Sequence, residues 1–299
     1  MNNNKNSFRW KAKIPFWSLE YLVLPFVINK AIIWCGNSDE FNPFQLCLIL
    51  TLISIGIPHL FGYVLHTSKL FRTALEINEI PLMGSINPSV NKMDYRNLHW
   101  GFLVYVHIII DAVSEFIVYW VIITNVSTHL KAHLIQNYIF DFVLPYFIFE
   151  LVYDFMYYWW HYYGHKNRFL WDNIHSTHHI ITLPRYLDVY HMSMAETLFI
   201  RATKWTVYYV FVYFGAIKLS TIVMINCYVL LVEFLGHSGF KIYAKDVCPL
   251  KCILHHCIPG FVQDSDYHDF HHQKKARNYS KRLAIWDTVF GTMYDPKVI

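Results

Sequence analysis

The sequence predicts an all-helical integral membrane protein with about four transmembrane helices, a helical hairpin and a histidine-rich helical cap on the cytosolic side. Three observations predict it. Of 299 residues, 55% are hydrophobic, 18% aromatic and only 15% charged, a balance outside the soluble range. Several apolar runs are long enough to cross a hydrocarbon core of about 30 Å. Three histidine clusters stand beside those runs: HYYGH at 161–165, HSTHH at 175–179 and HDFHH at 268–272.

Taken in order, residues 1–13 are polar and carry Lys5, Arg9, Lys11 and Lys13. The apolar run from Ile14 to Trp34 is interrupted by Glu20 and Lys30, and no small-residue cleavage pattern follows it, so it reads as an imperfect span and not as a signal peptide. Phe44 to Leu65 is a cleaner span. Residues 67–100 turn polar, with Lys69, Arg72, Lys92 and Arg96. Gly101 to Thr124 and Tyr138 to Trp160 are two further spans around a short connector. Leu198 to Phe214 and Ile217 to Leu235 are joined so tightly that they form a hairpin. Basic residues in short loops favour the cytosol, which places residues 67–100 there, the connector near 125–137 in the lumen, and all three clusters on the cytosolic face. Residues 1–100 then form an N-terminal membrane region and 101–299 the catalytic domain.

The clusters are the chemistry-bearing feature. Spacings of three and four residues bring side chains to one face of a helix, so each cluster is expected to aim its rings at a common point. The eight imidazoles are His161, His165, His175, His178, His179, His268, His271 and His272. They exceed what one tetrahedral ion uses, and a structural zinc site closes with four ligands, so two metals held close together are expected. Neutral imidazole suits iron, zinc and copper. Asp154, two helical turns before His161, is a candidate to orient a ligand. A metal carrier would place its ligands along the spans, and a b-type haem protein would face single histidines across two helices; these boxes lie beyond helix ends.

Other classes are disfavoured. A net charge of +4 without a basic stripe argues against nucleic acid, and no glycine-rich phosphate loop is present. The six cysteines, Cys35, Cys47, Cys227, Cys248, Cys252 and Cys257, make no disulfide framework, and the last three, beside His255 and His256, match no zinc spacing well. The lone histidines His59, His66, His99, His107, His129 and His133 read as packed or interfacial. The YYWW run at 157–160 reads as an interfacial belt or the lining of a substrate entrance.

The three boxes, together with GHSGF at 236–240, NYS at 278–280 and WDTVFGT at 286–292, resemble the fatty acid hydroxylase and sterol desaturase superfamily of membrane di-iron oxidoreductases over roughly residues 100–294. The resemblance implies two iron ions, dioxygen as cosubstrate, and insertion of one oxygen atom into a C–H bond while the other leaves as water. It adds His237, and one of His255 or His256, as ligand candidates. Electrons would come from a separate cytochrome b5 or similar reductase, and the address would be the endoplasmic reticulum. AETLF at 195–199 is similar to C4-methylsterol oxidases and MSMAE at 192–196 to cholesterol 25-hydroxylases, which favours a sterol substrate. C5 desaturation and fatty acyl hydroxylation remain alternatives. The chain departs from the pattern at Ser193, where a histidine is usual, with His191 two positions earlier, at Tyr162 after the first box histidine, and in a longer segment between His237 and His268.

Overall fold

The computed structural model describes residues 24–36, 42–69, 78–79, 98–126, 134–181, 186–215, 217–241 and 262–294. Helix α1 covers Leu24–Gly36. Helix α2, Pro43–Thr67, starts where the Asn42 side chain accepts from the N–H of Phe44 and of Gln45, and Pro43 takes the first turn, where no backbone donor is needed. Helix α3 is Leu98–Val126. Helix α4, Leu144–Lys166, is preceded by a π turn, and a short segment, α5, runs through Arg168–Leu170 into a second π turn, Trp171–His175. Single 3-10 turns follow at His178–Ile180 and Tyr186–Tyr190. Helices α6, Met194–Tyr213, and α7, Leu219–Gly236, form the expected hairpin. Helices α8, Ser265–Lys274, and α9, Ile285–Val289, close the order. The only strands among the described residues are Asn78–Glu79 (β1) and Phe240–Lys241 (β2), paired antiparallel.

Three described helices are long and apolar enough to cross a membrane: Pro43–Thr67, Gly101–Asn125 and Leu219–Gly236. Helix α7 is the hub. It is apolar all round, 89% of its span is buried, and α1, α2, α4 and α8 pack against it. The expected span at 138–160 falls short of that apolar standard because α4 carries its polar groups inward. Tyr146, Glu150, Tyr153, Asp154, Tyr157 and His161 recur every three or four residues and are buried, while Ile148, Val152, Phe155 and Met156 face outward. Of the first expected span, residues 14–23 lie outside the described residues, as does the segment with Cys248, Cys252, Cys257, His255 and His256.

A buried charge network joins α3, α6 and α7. Arg201 Nη2 donates to Asp111 Oδ2 at 2.6 Å, Lys204 pairs with Glu115, and Asn226 bridges Glu115 to the Tyr119 hydroxyl. Two acids and two bases cancel, which is how charged side chains are retained inside an apolar bundle. The network ties α6 to α3, and the first turn of α6 reaches the histidine clusters through Glu196.

Candidate metal centre

The nine histidines named as metal ligands come together in two groups. His161, His165, His175, His179 and His271 form the first, and His178, His237, His268 and His272 the second; within each, one ring nitrogen per residue lies within 4.8 Å of the others. The boxes therefore do not each serve one point, as the spacing suggested. Residues four apart stay together: His161 with His165, His175 with His179, and His268 with His272. The third member of the second and third boxes, His178 and His271, swings to the other group. Part of the reason is local, since HSTHH is not regular helix but a π turn followed by a 3-10 turn.

The hydrogen bonding around the rings selects what the groups bind. His161 Nδ1 donates to the Tyr279 carbonyl at 2.7 Å, His271 Nδ1 to that of Arg277 at 2.6 Å, His237 Nδ1 to that of Glu233 at 2.8 Å and His272 Nδ1 to that of Ile181 at 3.2 Å. His175 Nδ1 meets Glu196 Oε1 at 2.7 Å. Each such ring is the tautomer whose Nε2 carries a lone pair. Their Nε2 atoms face those of His165, His179 and His268: His165 to His271 at 3.1 Å, His175 to His165 at 3.1 Å and His175 to His179 at 3.1 Å in the first group, and His268 to His237 at 3.1 Å and to His272 at 3.2 Å in the second. The buried His161 Nε2 has no hydrogen-bond partner at all. His165 and His268 each face two such lone pairs and can give an Nε2 proton to only one, so lone pairs are left converging without a proton, and a cation at their centre turns that repulsion into ligation. The residues fit a metal in each group, and the all-imidazole donor sets suit iron, zinc or copper.

Electrostatics keep the rings ready. Burial, reinforced by neighbouring imidazoles and Lys281, pushes His178, His268 and His272 well below the ordinary histidine range, and burial brings His237 and His271 down to about 3. Neutral imidazole is the form that ligates.

The supporting residues were only partly foreseen. Asp154 does not touch a histidine; it accepts the backbone N–H of Lys281 at 3.0 Å, Arg282 at 3.2 Å and Leu283 at 3.0 Å. Glu196, inside the quoted AETLF stretch, is the carboxylate that does orient a box histidine. Ser193 caps α6 by accepting from the Glu196 N–H at 3.2 Å, and His191 is buried outside both groups. Gly164 packs against the His175 ring, which a Cβ there would approach to 3.1 Å and displace by a few tenths of an ångström.

One space adjoins the centre, and a second lies outside it. A nearly closed cavity of about 20 Å³, with room for about one small molecule, is walled by His178, Glu196, Glu233, Lys281, Tyr153 and Tyr157. On the outside of α4 and α6 an open aromatic groove of about 520 Å³ is lined by Phe155, Met156, Trp159, Trp160 and Phe199. Trp160 and Phe199 stack at 4.2 Å between ring centres, where α4 packs against α6.

Fold and site thus define a helical, membrane-type scaffold built around two polyhistidine groups, each able to hold a metal ion. Residues 146–292 match the family model described as fatty acid hydroxylase. The chain is 35% identical over 71 residues to the fatty acid hydroxylase vlmA of a Lecanicillium species, covering 23% of this chain and 19% of that one. It is 34% identical over 64 residues to the methylsterol monooxygenase erg25B of Aspergillus fumigatus, covering 21% of this chain and 19% of that one. The matched stretches span about a fifth of the length of these relatives. No solved structure matches.

Proposed function

We propose that the protein is an iron- and dioxygen-dependent membrane monooxygenase that hydroxylates a sterol or related lipid, with oxidation of a C4-methyl sterol the leading assignment. The carrying observation is the convergence of nine buried or half-buried imidazoles into two adjacent groups with unprotonated nitrogens facing inward. Bound there, two irons supply the reduction of dioxygen and the cleavage of an unactivated C–H bond. His161, His165, His175, His179 and His271 would hold one ion and His178, His237, His268 and His272 the other.

The chain's own residues do the rest. Tyr153 and Tyr157 exclude bulk water from the cavity beside His178, while Lys281 and Glu233 pair across its wall and keep it neutral. The groove on α4 and α6 is apolar and aromatic and falls within the usual ligand-pocket range of about 300–1,000 Å³. A flat hydrocarbon skeleton packs against such rings. In this reading residues 101–299 form the catalytic domain, the histidine face is cytosolic, the membrane is that of the endoplasmic reticulum, and a cytochrome b5-type partner delivers two electrons per turnover.

The methylsterol monooxygenase relative and the AETLF stretch support the sterol branch. The fatty acid hydroxylase relative supports a second reading, hydroxylation of an acyl chain. Lipid profiling of cells with and without the gene separates them. Accumulation of 4-methylated sterols on loss supports the leading assignment, and loss of a side-chain-hydroxylated sterol moves it to the side chain. Unchanged sterols with fewer hydroxylated acyl chains overturn the sterol assignment.

A further inference from the structure

Two carboxylates outside the histidine boxes hold one continuous stretch of backbone. Asp287, in WDTVFGT, accepts the N–H of Tyr279 and of Ser280 at 2.8 Å each, and Asp154 accepts those of Lys281, Arg282 and Leu283. Five consecutive amides, 279–283, are thus claimed by two buried side chains. Asp287 is itself fixed by the Thr292 hydroxyl at 2.6 Å and by Gln263 Nε2 at 3.0 Å. Gly291, at φ +68, permits the turn that returns Thr292 to it.

Through backbone carbonyls this part of the chain serves only one of the two histidine groups, although the Lys281 side chain pairs with Glu233 beside the second. The carbonyls of Tyr279 and of Arg277, two residues before it, receive Nδ1–H of His161 and His271, both in the first group. The outer nitrogens of His237 and His272, in the second group, go instead to Glu233 and Ile181. The carbonyls are aimed by an unusual backbone: Lys275, Arg277 and Asn278 all have positive φ, at 54, 65 and 52. Non-glycine residues, Asn apart, rarely hold that conformation unless their surroundings impose it. Asn278 is tied down by accepting from the Tyr294 N–H at 2.7 Å and donating to the Tyr294 carbonyl at 2.9 Å.

We propose that Asp287 and Asp154 are positioning residues for the first metal site, holding residues 279–283 so that the Tyr279 carbonyl, and the Arg277 carbonyl that leads into the stretch, orient His161 and His271. The assignment rests on the dinuclear reading of the histidine groups and gives the WDTVFGT motif a physical task. Partners that orient a ligating histidine are typically worth about 10- to 100-fold in metal affinity. Releasing them loosens the first ion by that factor and leaves the second unchanged.

The experiment measures chelator-resistant iron(II) per chain, loaded anaerobically into detergent-purified full-length protein. The wild type is read first: fewer than two ions overturns the dinuclear reading itself. With two in the wild type, Asp287→Asn preserves shape but turns an amide N–H toward the donors it once accepted. One ion per chain should become roughly 10- to 100-fold easier to extract while the other is retained as in the wild type. Ligand variants identify it. Asp287→Asn with His268→Ala should keep no tight ion, and Asp287→Asn with His175→Ala should keep one. Thr292→Val removes one support of Asp287 and is read by the same criterion if Asp287→Asn does not fold. Loss of both ions in parallel, loss of neither, or loss of the ion held by His268 overturns the positioning role and leaves the dinuclear reading standing.

Discussion

Acidifying the metal-free protein tests the neutral-imidazole centre most directly. His237 and His271 are held down to about 3, against an ordinary value near 6.5 in the unfolded chain. Between those values the unfolded state binds protons that the folded state refuses, so stability is at its full value above about pH 6.5 and falls as the pH drops toward 3. The slope is about 1.4 kcal/mol per pH unit for each fully titrating histidine. For these two alone the loss by pH 4.5 is about 5 kcal/mol, comparable to the total stability of a typical domain, about 5–15 kcal/mol. His178, His179, His268 and His272 are lowered by the same cause and steepen the fall. Thermal unfolding followed by tryptophan fluorescence, between pH 7.5 and 4.5 on stripped and iron(II)-loaded protein, reads the effect. The stripped midpoint should drop continuously below about pH 6.5, and the loaded one should hold to lower pH because the metal occupies the lone pairs that protons seek. A stripped midpoint that stays level or rises on acidification would refute the buried, uncharged centre.

Three further outcomes are expected. Glu196→Gln keeps an oxygen for His175 Nδ1 but removes the charge behind a 2.7 Å contact, so chelator competition should show metal binding weakened about tenfold or more; unchanged binding sinks the orienting role of Glu196. Lys204→Met leaves Glu115 buried without its cation and should cost about 3–5 kcal/mol in unfolding, most of it recovered when Glu115→Leu is added; a double variant as unstable as the single contradicts the paired network. Phe199→Ala removes one ring of the Trp160 stack and should raise KM for the lipid several-fold at unchanged metal content, whereas lost metal with unchanged KM places the groove outside substrate binding.

What could be read from the chain divides along a physical line. Helix existence, the α6–α7 hairpin and eight of the nine converging histidines follow from composition and short spacings, which act within one or two turns; the ninth, His237, comes from the family resemblance alone. What escaped depends on contacts across long sequence separations. The assignment of His178 to the opposite group from its box neighbours goes with π and 3-10 turns that leave no periodic signature, and that of His271, on the regular helix α8, goes with its Nδ1 contact to the Arg277 carbonyl beyond the helix end. Asp154 looked like a partner for a histidine on its own helix, yet its oxygens meet amides about 128 residues away. Helix α4 read as a lipid span because its outward face is one, while its inward stripe of Glu150, Asp154 and His161 answers to Arg282 and to the metal centre. The same stripe explains why a polar catalytic centre can sit against an apolar bundle at all. Arg282, wholly buried, neutralises Glu150 and Glu233, and Asp154 is absorbed by backbone amides. Glu196 is the carboxylate that meets an imidazole directly, through His175 Nδ1. A cation that enters the centre is then the strongest charge in its surroundings.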